Sequence, residues 1–256
     1  FRIYGIDLLG FGKSAQNLQG KINHLDNQYW SNQLASFLDE IVDIQKNGKV
    51  ILIGNSLGAL TAITTLSQRP ELIKTLIAAP LPEPIFINPI QPLFPNWFKK
   101  IKSFLIKLFF NLFPLKALVN LISRTKLITF GLQSAYFRSI SNDKLLKRIV
   151  TVPAIRPHSY QALRAMCIGM TNRQNARKGP SIIAKIQNIP NRPPILLIWG
   201  KKDKLIPIFL AKKLIKLHPW LKLNVINEAG HCLHDESPQQ FNQIVLKWLE
   251  NLKTSK

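Results

Sequence analysis

The chain is poor in negative charge. Its 256 residues carry 13 Asp and Glu against 35 Lys and Arg, a formal net charge of +22. A surplus of this size points to a polyanionic partner, either nucleic acid or an anionic membrane surface. The deficit is local. Between Pro84 and Lys202 the single acid is Asp143, against 20 basic residues, so that stretch carries +19 and its flanks are close to neutral. Zinc-ligand spacing, a helix-turn-helix signature and aromatic RNA-binding motifs are all missing, which argues against nucleic acid as the partner. Cysteine is scarce as well. Cys167 and Cys232 are too few for a disulfide framework, so a reducing compartment and a cytoplasmic location are expected. No run of 18 apolar residues free of charge occurs, and no signal-peptide pattern is visible in a sequence that starts at Phe1 rather than Met. Repeats and low-complexity tracts are also lacking.

What is present is a core and an alternation. Hydrophobic residues make up 46% of the chain, enough for a sizeable interior. Phe1 to Asp7 reads as the second half of a buried strand running into a glycine-rich loop, Leu8 to Ser14. From Gln28 to Gln45 apolar residues recur at helical spacing (Trp30, Leu34, Phe37, Leu38, Ile41), and Asn47-Gly48 ends that helix. Val50 to Ile53 is an all-apolar run of the kind buried on both faces of a parallel sheet. Ala59 to Ser67 is helical in pattern, and Leu76 to Ala79 is a further strand. Pro80, Pro82, Pro84, Pro89, Pro92 and Pro95 then break regular structure. A basic, apolar stretch from Trp97 to about Phe137 is helical by period. Strands return at 195–199 and 223–226, and Gln239 to Leu252 is a closing amphipathic helix. The reading is an α/β fold in two parts, 1–82 and 186–256, around an inserted helical lid at 83–185.

Gly54-Asn55-Ser56-Leu57-Gly58 fits G-x-S-x-G between a strand and a small-residue helix. A nucleophile on such a turn sits in strained backbone, flanked by glycines for want of side-chain room, and Leu57 N–H is aimed where an oxyanion would form. A serine hydroxyl needs a base, and the base needs an orienting carboxylate. Asp203 follows the strand 195–199, and His231 follows the strand 223–226, each at a carboxyl end, where parallel sheets place functional groups. His234 is the close competitor to His231. His24, His158 and His218 read as structural or solvent-facing, Cys232 as core packing, and Asp235 and Glu236 as starting or capping the last helix. Asn55, Phe11 and Leu205 are expected to meet substrate.

Together these segments resemble the α/β-hydrolase superfamily, in which Ser56, Asp203 and His231 stand in the order nucleophile, acid, base. Asp7-Leu8-Leu9-Gly10-Phe11-Gly12-Lys13-Ser14 resembles its D-x-x-G-x-G-x-S loop. Gly-Asn-Ser-Leu-Gly with Gly230-His231-Cys232-Leu233-His234-Asp235-Glu236-Ser237-Pro238 is most similar to plant and cyanobacterial pheophytinase- and chlorophyll-dephytylase-like hydrolases, which cleave a phytyl ester. The resemblance covers about 1–82 and 190–256, not the insert. It implies a cofactor-free, metal-free esterase acting through an acyl-enzyme. Serine at position 56 argues against epoxide hydrolases and haloalkane dehalogenases, which need a carboxylate there. The family's His-Gly motif, whose loop completes the oxyanion hole, is missing, and Ala59 replaces a frequent glycine. An N-terminally truncated fragment with half an oxyanion hole is therefore expected, and one donor is worth on the order of 100- to 1000-fold in rate.

From Trp97 to Phe113 aromatic and aliphatic residues alternate with lysines, and Pro114 stops the helix. A lid with its apolar side over the site would suit a long-chain or prenyl-type ester, a small apolar molecule. The same composition suits peripheral contact with an anionic membrane, such as an internal, thylakoid-like one. Two other functions stay open: C–C bond hydrolysis or perhydrolysis on the same triad, and a membrane-associated binding protein without turnover.

Overall fold

The computed structural model describes residues 1–16, 24–84 and 96–254. Among them, four strands form one parallel sheet in chain order: β1 (Val50–Gly54), β2 (Ile73–Ala78), β3 (Ile195–Gly200) and β4 (Lys222–Ile226). The principal helices are α1 (Asn27–Phe37), α2 (Leu57–Gln68), α3 (Asn96–Leu112), α4 (Leu115–Arg124) and α5 (Leu127–Gln133). They continue with α6 (Lys144–Ala154), α7 (Ser159–Thr171), α8 (Gly179–Gln187), α9 (Ile208–Leu217) and α10 (Pro238–Thr254). Helices α3 to α8 all fall between β2 and β3.

The two central strands explain the layering. Leu76, Ala78, Leu197 and Trp199 point to one face, and Ile77, Leu196 and Ile198 to the other. All seven are 0% exposed, as continuous apolar strands buried on both sides require. The first face is covered by Leu34 of α1, Leu60 and Ile63 of α2, and Leu214 of α9. Helix α8 adds Ile182, Ile183 and Ile186 to the same core. Phe241, Val245 and Leu249 of α10, four residues apart, cover the second face at roughly 2 kcal/mol each.

Several expectations change. Phe1 to Asp7 joins no strand, and Phe1 and Ile3 are 85% and 90% exposed. β1 is therefore an edge strand, and Ile53, expected to be buried, is 52% exposed. The helix expected over 28–45 breaks at Asp43, which adopts a left-handed φ of 53° between the buried Val42 and Ile44. The stretch 97–137 is helical as expected, in three helices, and Pro114 separates the first from the second. Pro89, Pro92 and Pro95 lie outside the described residues.

Candidate active site

β1 stops at Gly54 and α2 starts at Leu57, leaving Asn55 and Ser56 to reverse the chain. Ser56 sits at φ 50°, ψ −113°, a conformation L-residues avoid. The turn is held by Ser56 N–H to the Pro80 carbonyl (3.0 Å), Ala79 N–H to the Gly54 carbonyl (2.8 Å) and Gly58 N–H to the Asn55 carbonyl (2.8 Å). A Cβ on Gly54 would come within 2.4 Å of the Gly58 backbone, so glycine is required there. At Gly58 the expectation fails: a Cβ there would meet nothing within 4 Å. Leu57 is the first residue of α2, whose opening N–H groups have no intrahelical acceptor and sit at the positive end of the helix dipole.

The loop after β3 brings Asp203 in, and the loop after β4 brings His231. The Asp203 side chain is 0% exposed and that of His231 8%. Asp203 Oδ1 accepts the N–H groups of Leu205 (2.8 Å) and Ile206 (2.9 Å), which fixes the carboxylate plane. Its Oδ2 lies 2.9 Å from His231 Nδ1. A carboxylate only accepts, so Nδ1 carries a proton; in the neutral imidazole that tautomer leaves the lone pair on Nε2. Among the described residues no hydrogen bond joins Ser56 Oγ to the ring, a contact that often tightens only around bound substrate.

The structure gives Asn55 and Leu205 work other than the substrate contacts expected of them. Asn55 Nδ2 donates to the Ala79 carbonyl and to the His231 carbonyl (3.0 Å for the latter), tying the serine turn to the histidine loop. Leu205 lends its N–H to Asp203 while its side chain is half exposed. Phe11 does face a cavity. Its ring lies 6.0 Å from Trp30, and it walls a space of about 210 Å³ with Gln16, Val119, Val150 and Met166. Met166, in the cavity wall, and Leu57, beside Ser56, both pack against the cluster of Leu25, Trp30 and Ala165; Ser56 and His231 do not line the cavity. Gln16 is buried there with its side-chain carbonyl unbonded among the described residues. The Asp7 loop is built as its glycines suggest: Asp7 Oδ2 accepts Lys13 N–H at 2.8 Å, and Gly12 at φ 50° leaves no room for a Cβ against that carboxylate.

Glu236, expected to cap a helix, is a clasp instead. Its carboxylate accepts N–H groups from Gly230 (2.7 Å), Phe137 (2.6 Å) and Arg138 (3.0 Å). His231 N–H donates to the Ala135 carbonyl at 2.8 Å, so residues 135–138 are laced to the histidine loop. Gly230 allows this approach, because a Cβ there would lie 2.8 Å from Phe137 N. Two of its three partners lie some hundred positions away and leave no local pattern by which Glu236 could be found. His234 is exposed, with its ring 6.3 Å from Phe241, and is not part of this network. Burial pushes the Cys232 and Cys167 thiols above the ordinary thiol range. Among the described residues no three His, Cys, Asp or Glu side chains cluster as metal ligands.

A profile of the alpha/beta hydrolase fold matches residues 1–238. The chain belongs to the α/β-hydrolase family. It is 27% identical over 228 residues to the chloroplastic pheophytinase of Arabidopsis thaliana, covering 88% of this chain and 45% of that protein. It is 22% identical over 252 residues to a 2-hydroxy-6-oxononadienedioate/2-hydroxy-6-oxononatrienedioate hydrolase of Cupriavidus pinatubonensis, covering 98% of this chain and 77% of that one. Among solved structures, a putative lipase from Acinetobacter baumannii superposes with a TM-score of 0.67 at 19% identity, over 98% of this chain and 75% of the other. The fold expected from the sequence is thus the fold of this α/β-hydrolase.

Proposed function

We propose that this α/β-hydrolase is a serine hydrolase that cleaves a carboxylic ester of an apolar, long-chain or prenyl-type substrate. The observation that carries the reading is the buried Asp203–His231 pair, with Nδ1 committed to the carboxylate, beside a serine in strained turn geometry. Ser56 Oγ attacks the ester carbonyl and its proton passes to His231 Nε2. Leu57 N–H receives the developing oxyanion. His231 then protonates the leaving alcohol, and water, deprotonated by the same nitrogen, releases the acid from Ser56. Asp203 holds the imidazole in the productive tautomer throughout. No cofactor enters these steps.

The cavity beside Phe11 supports an apolar substrate, since its walls contain no charged side chain. That lining also weighs against the second reading, C–C bond hydrolysis on the same triad, which rests on the relative named for a dioate substrate. A dicarboxylate would need a cation in such a wall. We assign the helical insertion between β2 and β3 to a lid up to about residue 178; α8, which follows it, packs with the sheet and belongs to the main body.

The test is labelling by a fluorophosphonate probe, followed by turnover of p-nitrophenyl esters of increasing chain length and of a vinylogous diketone. Labelling of the wild type, lost in Ser56→Ala and His231→Ala, with turnover rising with chain length, is expected. A folded full-length protein that takes no label would overturn the reading. Turnover of the diketone alone would replace it with C–C hydrolysis.

A further inference from the structure

The insertion leaves its most apolar surface in water. On α3, Ile101, Leu105, Leu108 and Leu112 recur at positions i, i+4, i+7 and i+11, which places them in one row. They are 41–76% exposed, and Phe104 and Phe109 flank them. On α6, Leu145, Ile149 and Val152 form a second exposed row, and Phe130 of α5 is 82% exposed. The same helices and α4 carry Lys102, Lys107, Lys116, Arg124, Lys144 and Arg148, all exposed and none in an ion pair among the described residues.

We propose that helices α3 to α6 form a docking surface for an anionic lipid bilayer, with the apolar rows entering the interface and the basic side chains at the headgroups. Charge and apolarity select this occupant together. A second copy of the chain would bring one basic face against another, and a nucleic acid would leave the apolar rows in water. In this arrangement the helices lie on the bilayer rather than across it. Among the described residues no single helix is long and apolar enough to span; α3 and α4 meet that requirement only as a pair, and the pair is bent by 55°. Helix α3, at 17 residues, is about 25 Å long, short of a hydrocarbon core of about 30 Å. No feature of the surface points to a thylakoid-like membrane in particular. Val119 of α4 and Val150 of α6 wall the Phe11 cavity, so the helices that rest on lipid also border the space proposed for substrate. The surface itself stands apart from the hydrolase reading, because binding is measured without turnover.

The test is co-sedimentation with sucrose-loaded vesicles of phosphatidylcholine, with and without one third phosphatidylglycerol. Binding to the anionic vesicles is expected to be at least tenfold tighter and to weaken steeply with salt. Lys102→Gln with Lys107→Gln should lose about fivefold per lysine on anionic vesicles only. Leu108→Glu with Leu112→Glu, at exposed positions that leave the fold intact, should lose tenfold or more, whereas Leu246→Glu, at an exposed position on the outer side of α10, should change nothing. Equal binding to both vesicle types, or undiminished binding by the folded leucine variant, would overturn the proposal. So would wild-type self-association, abolished in the leucine variant and unaccompanied by vesicle binding, which would assign the face to a second copy.

Discussion

Replacing Asp203 by asparagine separates the carboxylate's two duties. In the wild type, Oδ1 holds the N–H groups of Leu205 and Ile206 and Oδ2 holds His231 Nδ1. The Asp203→Asn side chain keeps an oxygen for the two backbone donors, so the loop should stay folded and stability should fall by no more than about 1 kcal/mol. Its NH₂ group, however, would face His231 Nδ1 and donate to it. The imidazole must then carry its proton on Nε2, where a base for Ser56 is needed. Loss of tautomer control costs on the order of 10⁴ in rate, about 5.5 kcal/mol at 1.36 kcal/mol per tenfold. Asp203→Ala should differ in kind. It leaves two backbone N–H groups and the ring donor buried without acceptors, at roughly 1–3 kcal/mol per group. A net cost of roughly 3 kcal/mol corresponds, for a chain of this length, to a melting temperature lower by about 6–12 °C. Fluorophosphonate labelling rates and thermal melts of the three proteins make the assay. An asparagine variant that labels within tenfold of wild type, or that melts as low as the alanine variant, would refute this division of labour in Asp203.

Further outcomes follow from single contacts. Gly54→Ala should abolish labelling and lower stability, because its Cβ has the Gly58 backbone at 2.4 Å, whereas Gly58→Ala should label normally; equal behaviour of the two would contradict the turn geometry. Glu236→Ala removes the acceptor of three backbone N–H groups and should lower the urea-derived stability by roughly 2 kcal/mol while slowing labelling; an unchanged midpoint would show that the clasp contributes nothing. Burial raises the Cys167 and Cys232 thiols, so both should remain neutral and resist iodoacetamide at pH 7.5, and alkylation should become appreciable only above the ordinary thiol range of about 8.5. Rapid alkylation of Cys232 at pH 7.5 would show that its thiol is not held neutral by burial.

The sequence made the central sheet legible, because Leu76 to Ala78 of β2 and Ile195 to Trp199 of β3 are short apolar runs that need cover on both faces, whereas the polar start of β2, with Lys74 exposed, does not read as strand. It also put Ser56, Asp203 and His231 each just after a strand, and the structure pairs the last two, while the catalytic roles stand as proposed. The misreadings share one cause. Phe1 to Asp7 and Ile53 carry residues that suit a buried strand, yet burial depends on a neighbouring strand that composition does not reveal. Asp43 reads as one more helical residue, because a left-handed break between two buried side chains leaves no periodic trace. Asn55 is expected against substrate for its position beside Ser56, whereas its amide reaches a carbonyl 176 residues away. Glu236 misleads in the same way. Patterns along the chain reveal which faces are apolar, and they are silent about which distant backbone groups a polar side chain will satisfy.

The bond from His231 N–H to the Ala135 carbonyl, and the clasp of Glu236 on the neighbouring N–H groups, have a mechanical meaning. These contacts tie the proposed lid to the loop that carries the proposed base. A displacement of residues 135–138 wide enough to admit a bulky guest pulls on the loop that aims the imidazole, so the hydrolase would be disarmed while its door stands open. Only when that segment settles back would Nε2 return to its firing position, and water arriving during the open interval would find no base ready to activate it.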